Sequence, residues 1–378
     1  MRLIHVTEDF VRSGGGLPAV VASHLAWQKR LGWDVSLLHT GISDVLDGGS
    51  CALVSCPPSM VGNRWRWSPE LSRSFRTLLM GGADLVHLHG IWMAPQAVAS
   101  RISHQAGCPT VISFHGQLLG GALGSGLSAQ AVKKRLYLNL VGKKVALRAQ
   151  VLHAITKQEA ESLRNLFPQS RIEIIPNFID VADVELQLQA CGAQPPVSKK
   201  EILYLGRLDA RKGVMNLLMA FIDAALPKDW MLHIVGPDDT PGLRGELEDV
   251  IRRHGAGDRV KVSGPAYGEN KWRLLKGAAL VCLPSFHEVI GMVNLEAAIC
   301  AKPVLTTPHA GLERWEEAGG FLVEPPIRQL SQKLQRIAQM DDSELDGRGA
   351  SLRSWVIEHY GFDAIQPQWI ELYSDIRR

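Results

Sequence analysis

The sequence predicts an α/β protein built from two doubly wound parallel-sheet units, and three observations predict it. The chain has 378 residues, long for one core and comfortable for two. Short apolar runs alternate with longer amphipathic ones, the order that gives parallel sheets with helices on their faces. The alternation breaks once and then restarts.

The first series runs "RLIHV" (2–6), a helical pattern "LPAVVASHLAWQKRL" (17–31), then the strands "DVSLLH" (34–39), "ALVSC" (52–56), "DLVHLH" (84–89) and "TVISF" (110–114). The stretch "VADVELQLQACGAQPPVSKK" loses the period and collects Pro, Gly and Gln. A linker is therefore placed at 181–200, between a domain of 1–180 and one of 201–355. The second series runs "EILYLG" (201–206), a helix from about 213, "MLHIVG" (231–236), "RVKVSG" (259–264), "ALVCLPS" (279–285), "PVLTT" (303–307) and "GFLVE" (320–324). Residues 356–378 read as closing helix.

Composition narrows the class. With 46% hydrophobic and 21% charged residues, this is an ordinary globular chain without repeats or low-complexity tracts. No run of about eighteen apolar residues and no secretory signal is read, so a cytoplasmic location is expected. The six cysteines are scattered without a CxxC pair, which points to reduced thiols and away from zinc. Of 41 Lys and Arg, 18 lie within 1–180, against 11 of 38 Asp and Glu, so the first domain is net positive and the remainder net negative. No acid occurs between Asp84 and Glu159. Such a face suits an anionic partner; with no recognition motif present, nucleic acid is not expected.

Three stretches carry candidate chemistry. "GGGLPA", Gly14 to Ala19, formally fits a dinucleotide fingerprint, but seven residues separate Val6 from Gly14 and "LLHTG" ends the next strand without an acid. What survives is a glycine loop at a helix N-terminus, an anion or hydroxyl site at Gly15 and Gly16, or simply a loop with Pro18 in the first turn. "YLGRLDARKG" (204–213) ends a strand and projects Arg207 and Lys212 where a parallel sheet binds phosphate. "PSFHEVIGMVNLEAAIC" (284–300) places Glu288 and Glu296 on either side of a helix start. The amides of Gly291, Met292 and Val293 face a diphosphate there, and each acid can accept from a vicinal diol.

The segments "GRLDARKG", "IVGPDD", "VSGPAYGENKWRLLKGAALVCLPS" and "HEVIGMVNLEAA", with "DLVHLHG", "SFHG", "VLHAITKQEAESL" and "IPNFID" before them, span nearly the whole chain in one order. In that order the sequence resembles the family-4 retaining glycosyltransferases of the GT-B fold. The resemblance implies two Rossmann-like domains facing an interdomain cleft, with the closing helix returning to the first domain. It also implies a nucleotide-diphosphate sugar donor and a glycan or lipid-linked acceptor, as in bacterial polysaccharide, lipopolysaccharide and glycolipid synthesis. Carried over by position, Glu288 and Glu296 correspond to the E-x7-E pair, contacting the donor sugar and the ribose. Arg207 and Lys212 hold the diphosphate, and His115 touches the transferred sugar. The family often has a small or polar residue at Val289 and an aromatic at Ile290, departures that bear on which sugar is used.

The expected reaction is same-face transfer of a hexose-type sugar through an oxocarbenium-like ion pair, with no metal and no cofactor. Lys212, Arg207 and the helix N-terminus meet the charge on the departing β-phosphate, where one well-placed donor contributes about 3 kcal/mol. The alternatives are a nucleotide-sugar 2-epimerase-like enzyme and an inactive nucleotide-sugar-binding subunit. The basic helix expected at 130–150 and "RWRWSPELSRSFRTLL" (64–79), with Trp65 and Trp67, combine cations with apolar residues. That mixture suits an anionic membrane surface and a peripheral position at its inner face. His87, His89 and His153 read as packing or pocket-lining residues without metal-like spacing.

Overall fold

The computed structural model describes residues 1–11, 15–41, 44–59, 64–119, 128–192 and 200–377. The chain divides into one unit of Met1–Pro176 with Gln366–Arg378 and a second of Asn177–Ile365. The first unit holds seven parallel strands, β1 Arg2–Val6, β2 Asp34–His39, β3 Ala52–Ser55, β4 Leu85–His89, β5 Thr110–Ser113, β6 Val151–Ala154 and β7 Ile172–Ile174. Their spatial order is β3-β2-β1-β4-β5-β6-β7. The second holds β8 Lys200–Leu205, β9 Trp230–Val235, β10 Val260–Ser263, β11 Leu280–Leu283, β12 Val304–Thr306 and β13 Phe321–Leu322, ordered β10-β9-β8-β11-β12-β13. Both are doubly wound α/β sheets, the two Rossmann-like domains of the GT-B architecture.

The strands β6 and β7 were not among those expected. β6 is the four residues "VLHA" and β7 the three residues "IEI", too short and too polar to stand out. Partners supply what length does not: Ile112 aligns with Leu152, and Leu152 with Ile172. The expected linker is also shorter than read. Val181–Ala190 is a helix of the second unit, capped by the Asp180 side chain, which accepts from the Asp183 N–H at 3.2 Å. It packs on the helices Gly268–Gly277 and Met292–Ile299. Its buried anchors are only Val184 and Cys191, a stripe too sparse to show a period. Residues 193–199 lie outside the described ones. The basic stretch 130–150 is interrupted as well: a π-helical turn, Leu138–Gly142, separates the helices Ala129–Tyr137 and Lys143–Arg148.

The first sheet presents two different faces. Ile4, Val6, Val86, Leu88, Ile112 and Leu152 point into an apolar core with Phe75, Phe114 and Phe167. Alternation puts His5, His87, His89, Ser113 and His153 on the other side, and register aligns them: His5 with His87, His89 with Ser113, Ser113 with His153. The last helix, Phe362–Arg377, covers this face with Trp369 and Tyr373, both fully buried. The Trp369 ring lies 4.8, 5.4 and 4.5 Å from those of His24, His87 and His153.

Burial keeps these imidazoles uncharged. His5 and His153 are pushed down to about 4 and His115 to about 3, while burial and one another's fields hold His24, His87 and His89 well below the ordinary value. An unfolded chain takes up these protons as pH falls through about 6.5, whereas the folded one resists to lower pH, His5 and His153 until about 4. Stability is therefore complete above about pH 6.5 and falls as the pH drops below it, where the unfolded chain takes up protons that the folded one refuses. Glu159 offsets part of this, since burial pushes its carboxyl up to about 7 and the folded chain protonates it first. The expected outcome is a melting temperature that drops steadily from pH 7 to pH 5; a flat profile across that range would contradict neutral, buried histidines.

Candidate active site

In a doubly wound sheet the crevice lies at the carboxyl ends of the two strands where the winding reverses. For the second unit these are β8 and β11. The loop after β8 carries Arg207 and Lys212; the loop after β11 carries Glu288 and leads into the helix Met292–Ile299. Gly213 lets the two loops meet. Its φ is +69°, and a Cβ there would lie 2.1 Å from the Pro284 carbonyl oxygen. Phe286 N–H donates to the Arg211 carbonyl at 2.8 Å, and the buried Tyr204 hydroxyl donates to the Arg207 carbonyl at 2.8 Å. The cations therefore stand on a braced loop.

Each predicted charge in this crevice has a partner of opposite sign. Lys212 Nζ is paired with the Glu288 carboxylate, joining two residues 76 positions apart in sequence. Arg207 Nη1 lies 2.7 Å from Asp239 in the loop after β9. Glu296 pairs with Lys271 at 2.9 Å, and its other oxygen, Oε2, is buried without a partner. A buried acceptor left open is a place for a ligand hydroxyl. Gly291 precedes the first helical residue, and a Cβ there would come within 3.4 Å of Glu288 Oε2. The sequence reading brought Arg207, Lys212, Glu288, Gly291, Met292, Val293 and Glu296 to one sheet edge, and they do meet there. It missed Lys271 and Asp239. A lysine in "YGENKW" has no spacing signal; only the packing of its helix beside Glu296 reveals it.

In the first unit the reversal falls between β1 and β4. Gly15 precedes the helix Gly16–Arg30 with φ +78°, while Gly14 lies outside the described residues. His115 follows β5 with φ +52°, and Gly116 with +77°, a left-handed pair that turns the chain sharply. Glu159 holds this turn, one oxygen accepting from Gly116 N–H and the other from Ile155 N–H at 2.8 Å. Glu8, on the same edge, is paired with the Gln96 amide, which also donates to the His89 carbonyl at 2.6 Å. Burial raises the Glu8 carboxyl. Neither Glu8 nor Glu159 was singled out from sequence, because an acid is recognised as buried only once its neighbours are known.

Among the described residues one group has metal-like spacing, His5, His87 and His89, with ligand atoms within 4.8 Å of one another. Their ring nitrogens are already engaged by Gln28, Tyr373, Ser113, His115 and each other. His5 and His89 approach to 2.9 Å, a distance that shares a proton and leaves no room for an ion. These residues do not fit a metal. A groove of about 330 Å³ on this unit is lined by Trp65, Trp67 and Leu140 with Arg101, Lys144 and Arg148. Nearby Leu136 and Leu147 are exposed by more than half.

The family model described as "Glycosyl transferase 4-like domain" matches residues 15–177, and "Glycosyl transferases group 1" matches 193–347. An uncharacterized glycosyltransferase of Methanocaldococcus jannaschii is 27% identical over 271 residues, 68% of this chain and 66% of the relative. A D-inositol 3-phosphate glycosyltransferase of Xylanimonas cellulosilytica is 26% identical over 65% of this chain and 60% of its own length. The match thus spans less than two thirds of these relatives. Among solved structures, the sucrose-phosphate synthase of Thermosynechococcus elongatus superposes with a TM-score of 0.81 at 22% identity, covering 99% of this chain and 98% of that one. Anabaena HepE, solved with UDP and glucose, gives 0.75 at 18% identity over 99% and 100%.

The bracing at Gly213 is open to a direct measurement. Gly213→Ala forces the Pro284 carbonyl aside and adds a side chain at positive φ, so it should destabilise the protein by about 2–4 kcal/mol in urea unfolding. Gly257→Ala, where a Cβ meets nothing within 4 Å, should stay within about 0.5 kcal/mol of the parent.

Proposed function

The chain belongs to the GT-B, family-4-type glycosyltransferases, and on that premise we propose that it is a retaining hexosyltransferase using a nucleotide-diphosphate sugar and a glycan or lipid-linked acceptor. The observation that carries this reading is the set of paired charges at the β8–β11 reversal, Lys212 with Glu288 and Lys271 with Glu296. The two pairs flank the helix start at Gly291. Both are partly exposed, so a ligand can exchange with them at modest cost.

In this reading the diphosphate takes the Lys212 ammonium, the Arg207 guanidinium and the first-turn amides of Met292 and Val293. Glu288, released from Lys212, accepts from the sugar hydroxyls. Glu296 accepts from the ribose diol while Lys271 keeps it ionised. As the glycosidic bond breaks, negative charge grows on the β-phosphate where these donors already stand, so little reorganisation is needed. No metal is required by this scheme. The acceptor hydroxyl attacks from the face the diphosphate leaves and gives its proton to the departing β-phosphate oxygen, which preserves the anomeric configuration. That solved structures of this fold carry UDP, UDP-glucose or UDP-2-fluoro glucose makes uridine the first base to try.

The reading of a lipid-linked acceptor is supported by the groove beside Trp65 and Trp67, where cations and exposed aliphatic side chains adjoin. Such a surface holds anionic headgroups and the first carbons of a chain. No helix among the described residues is long and apolar enough to cross a membrane, so binding of this kind would be peripheral. Co-sedimentation with anionic vesicles at low salt, weakened at high salt and by Trp65→Ala with Trp67→Ala, is the expected result; protein left in the supernatant at low salt removes the membrane from the proposal.

The donor test is a thermal-shift panel of UDP, GDP, ADP and CDP and their sugar conjugates, with and without EDTA. One nucleotide should raise the melting temperature regardless of EDTA. Glu296→Ala should weaken its binding about 10- to 100-fold, and Lys212→Ala should lower kcat about 10²- to 10³-fold. A shift without transfer to any acceptor would favour a binding subunit, and a free epimer as product would favour an epimerase.

A further inference from the structure

The buried imidazoles of the first unit form two hydrogen-bonded chains, one directed by a backbone carbonyl and the other by a side-chain amide oxygen. His153 Nε2 lies 2.7 Å from the Ile175 oxygen, and a carbonyl only accepts, so this nitrogen carries the proton. His153 Nδ1 is then an acceptor and takes the Ser113 hydroxyl proton across 2.7 Å. Having given its one proton, Ser113 Oγ accepts from His87 Nε2 at 2.7 Å. His87 Nδ1 in turn accepts from the Tyr373 hydroxyl at 2.8 Å. The tyrosine proton is committed, and any further group facing its oxygen must donate.

The second chain takes its direction from Gln28: its Oε1 lies 2.7 Å from His5 Nε2 and an amide oxygen only accepts, while its Nε2 makes no hydrogen bond to the protein. The remaining bonds then run one way. His5 Nε2–H donates to Gln28, His89 Nε2–H donates to His5 Nδ1 at 2.9 Å, and His115 Nε2–H donates to His89 Nδ1 at 3.1 Å. The rings are neutral at pH 7, held so by burial, so each has one proton and one lone pair.

We propose that the chain His115–His89–His5–Gln28 fixes His115 as its Nε2–H tautomer, leaving Nδ1 a standing hydrogen-bond acceptor for the ligand, with His89, His5 and Gln28 as positioning residues. An isolated imidazole populates both tautomers, and the partner on one nitrogen decides which proton the other keeps. In the fixed form His115 accepts a hydrogen from a ligand hydroxyl; in the opposite tautomer it presents an N–H to the same place. The use of that acceptor on a sugar rests on the activity proposed above, whereas the tautomer itself does not.

The test is a long-range 1H–15N correlation spectrum of the ligand-free protein with 15N-labelled histidine, in which the two tautomers have distinct ring patterns. The expected result at pH 7 is Nε2–H for His5, His89 and His115. An Nδ1–H, mixed or cationic His115 overturns the proposal. Gln28→Met, close in shape but without the acceptor, should mix the His115 tautomers and lower kcat by at least about 10-fold, as wrong tautomers do elsewhere. If Gln28→Met does not fold, the parent spectrum still decides. A protein with the expected tautomers that transfers no sugar counts against the proposed activity and for the relay; an active protein whose His115 is Nδ1–H counts the other way.

Discussion

A parallel sheet wound outward in both directions from its first strand has one place where neighbouring strands send their chains to opposite faces, and no helix can close over both ends there. In this protein that place lies between β1 and β4 in one unit and between β8 and β11 in the other. The residues with ligand chemistry follow from this constraint. Arg207, Lys212, Glu288 and the start of the helix Met292–Ile299 adjoin the second reversal. Glu8, Gly15 and His115 stand on loops at the same carboxyl edge of the first sheet. A change in the winding of either sheet would scatter these side chains without altering any one of them.

The two units manage polar groups in opposite ways. The second keeps charges and pairs them, Lys212 with Glu288, Arg207 with Asp239 and Lys271 with Glu296, in a crevice that leaves each pair partly exposed. The first removes charge. Its histidines lie under Trp369 and Tyr373, where an imidazolium would be expensive, and they satisfy their nitrogens by hydrogen bonds to one another. Neutral rings in series have direction, which charged pairs lack, because every neutral imidazole has one donor and one acceptor.

Much of this was legible before the fold was known. The strands β1, β2, β4, β8 and β9 announce themselves as apolar runs, and Glu288 and Glu296 by their spacing across a helix start. Residues whose role depends on a distant neighbour were not legible. Lys271 is one more lysine on an exposed helix until its helix is laid beside Glu296. Glu159 is an ordinary helix-entry acid until Gly116 and Ile155 are found donating to it. Val181–Ala190 failed as a helix in the sequence because its stability comes from packing on two helices and not from its own apolar stripe.

The sequence by itself determined the fold class, the sheet edge where Glu288 and Glu296 gather and the two cations, Arg207 and Lys212, that stand there, since these depend on period and on the position of residues relative to strand ends. Tertiary structure decided the rest. Lys212 and Glu288 are 76 positions apart, and His87 and Tyr373 are 286 apart; local propensity has no term that reaches so far. Whether a histidine is a surface base, a metal ligand or a link in a chain is set by which strand lies beside it and in which register, and register is a property of two segments at once.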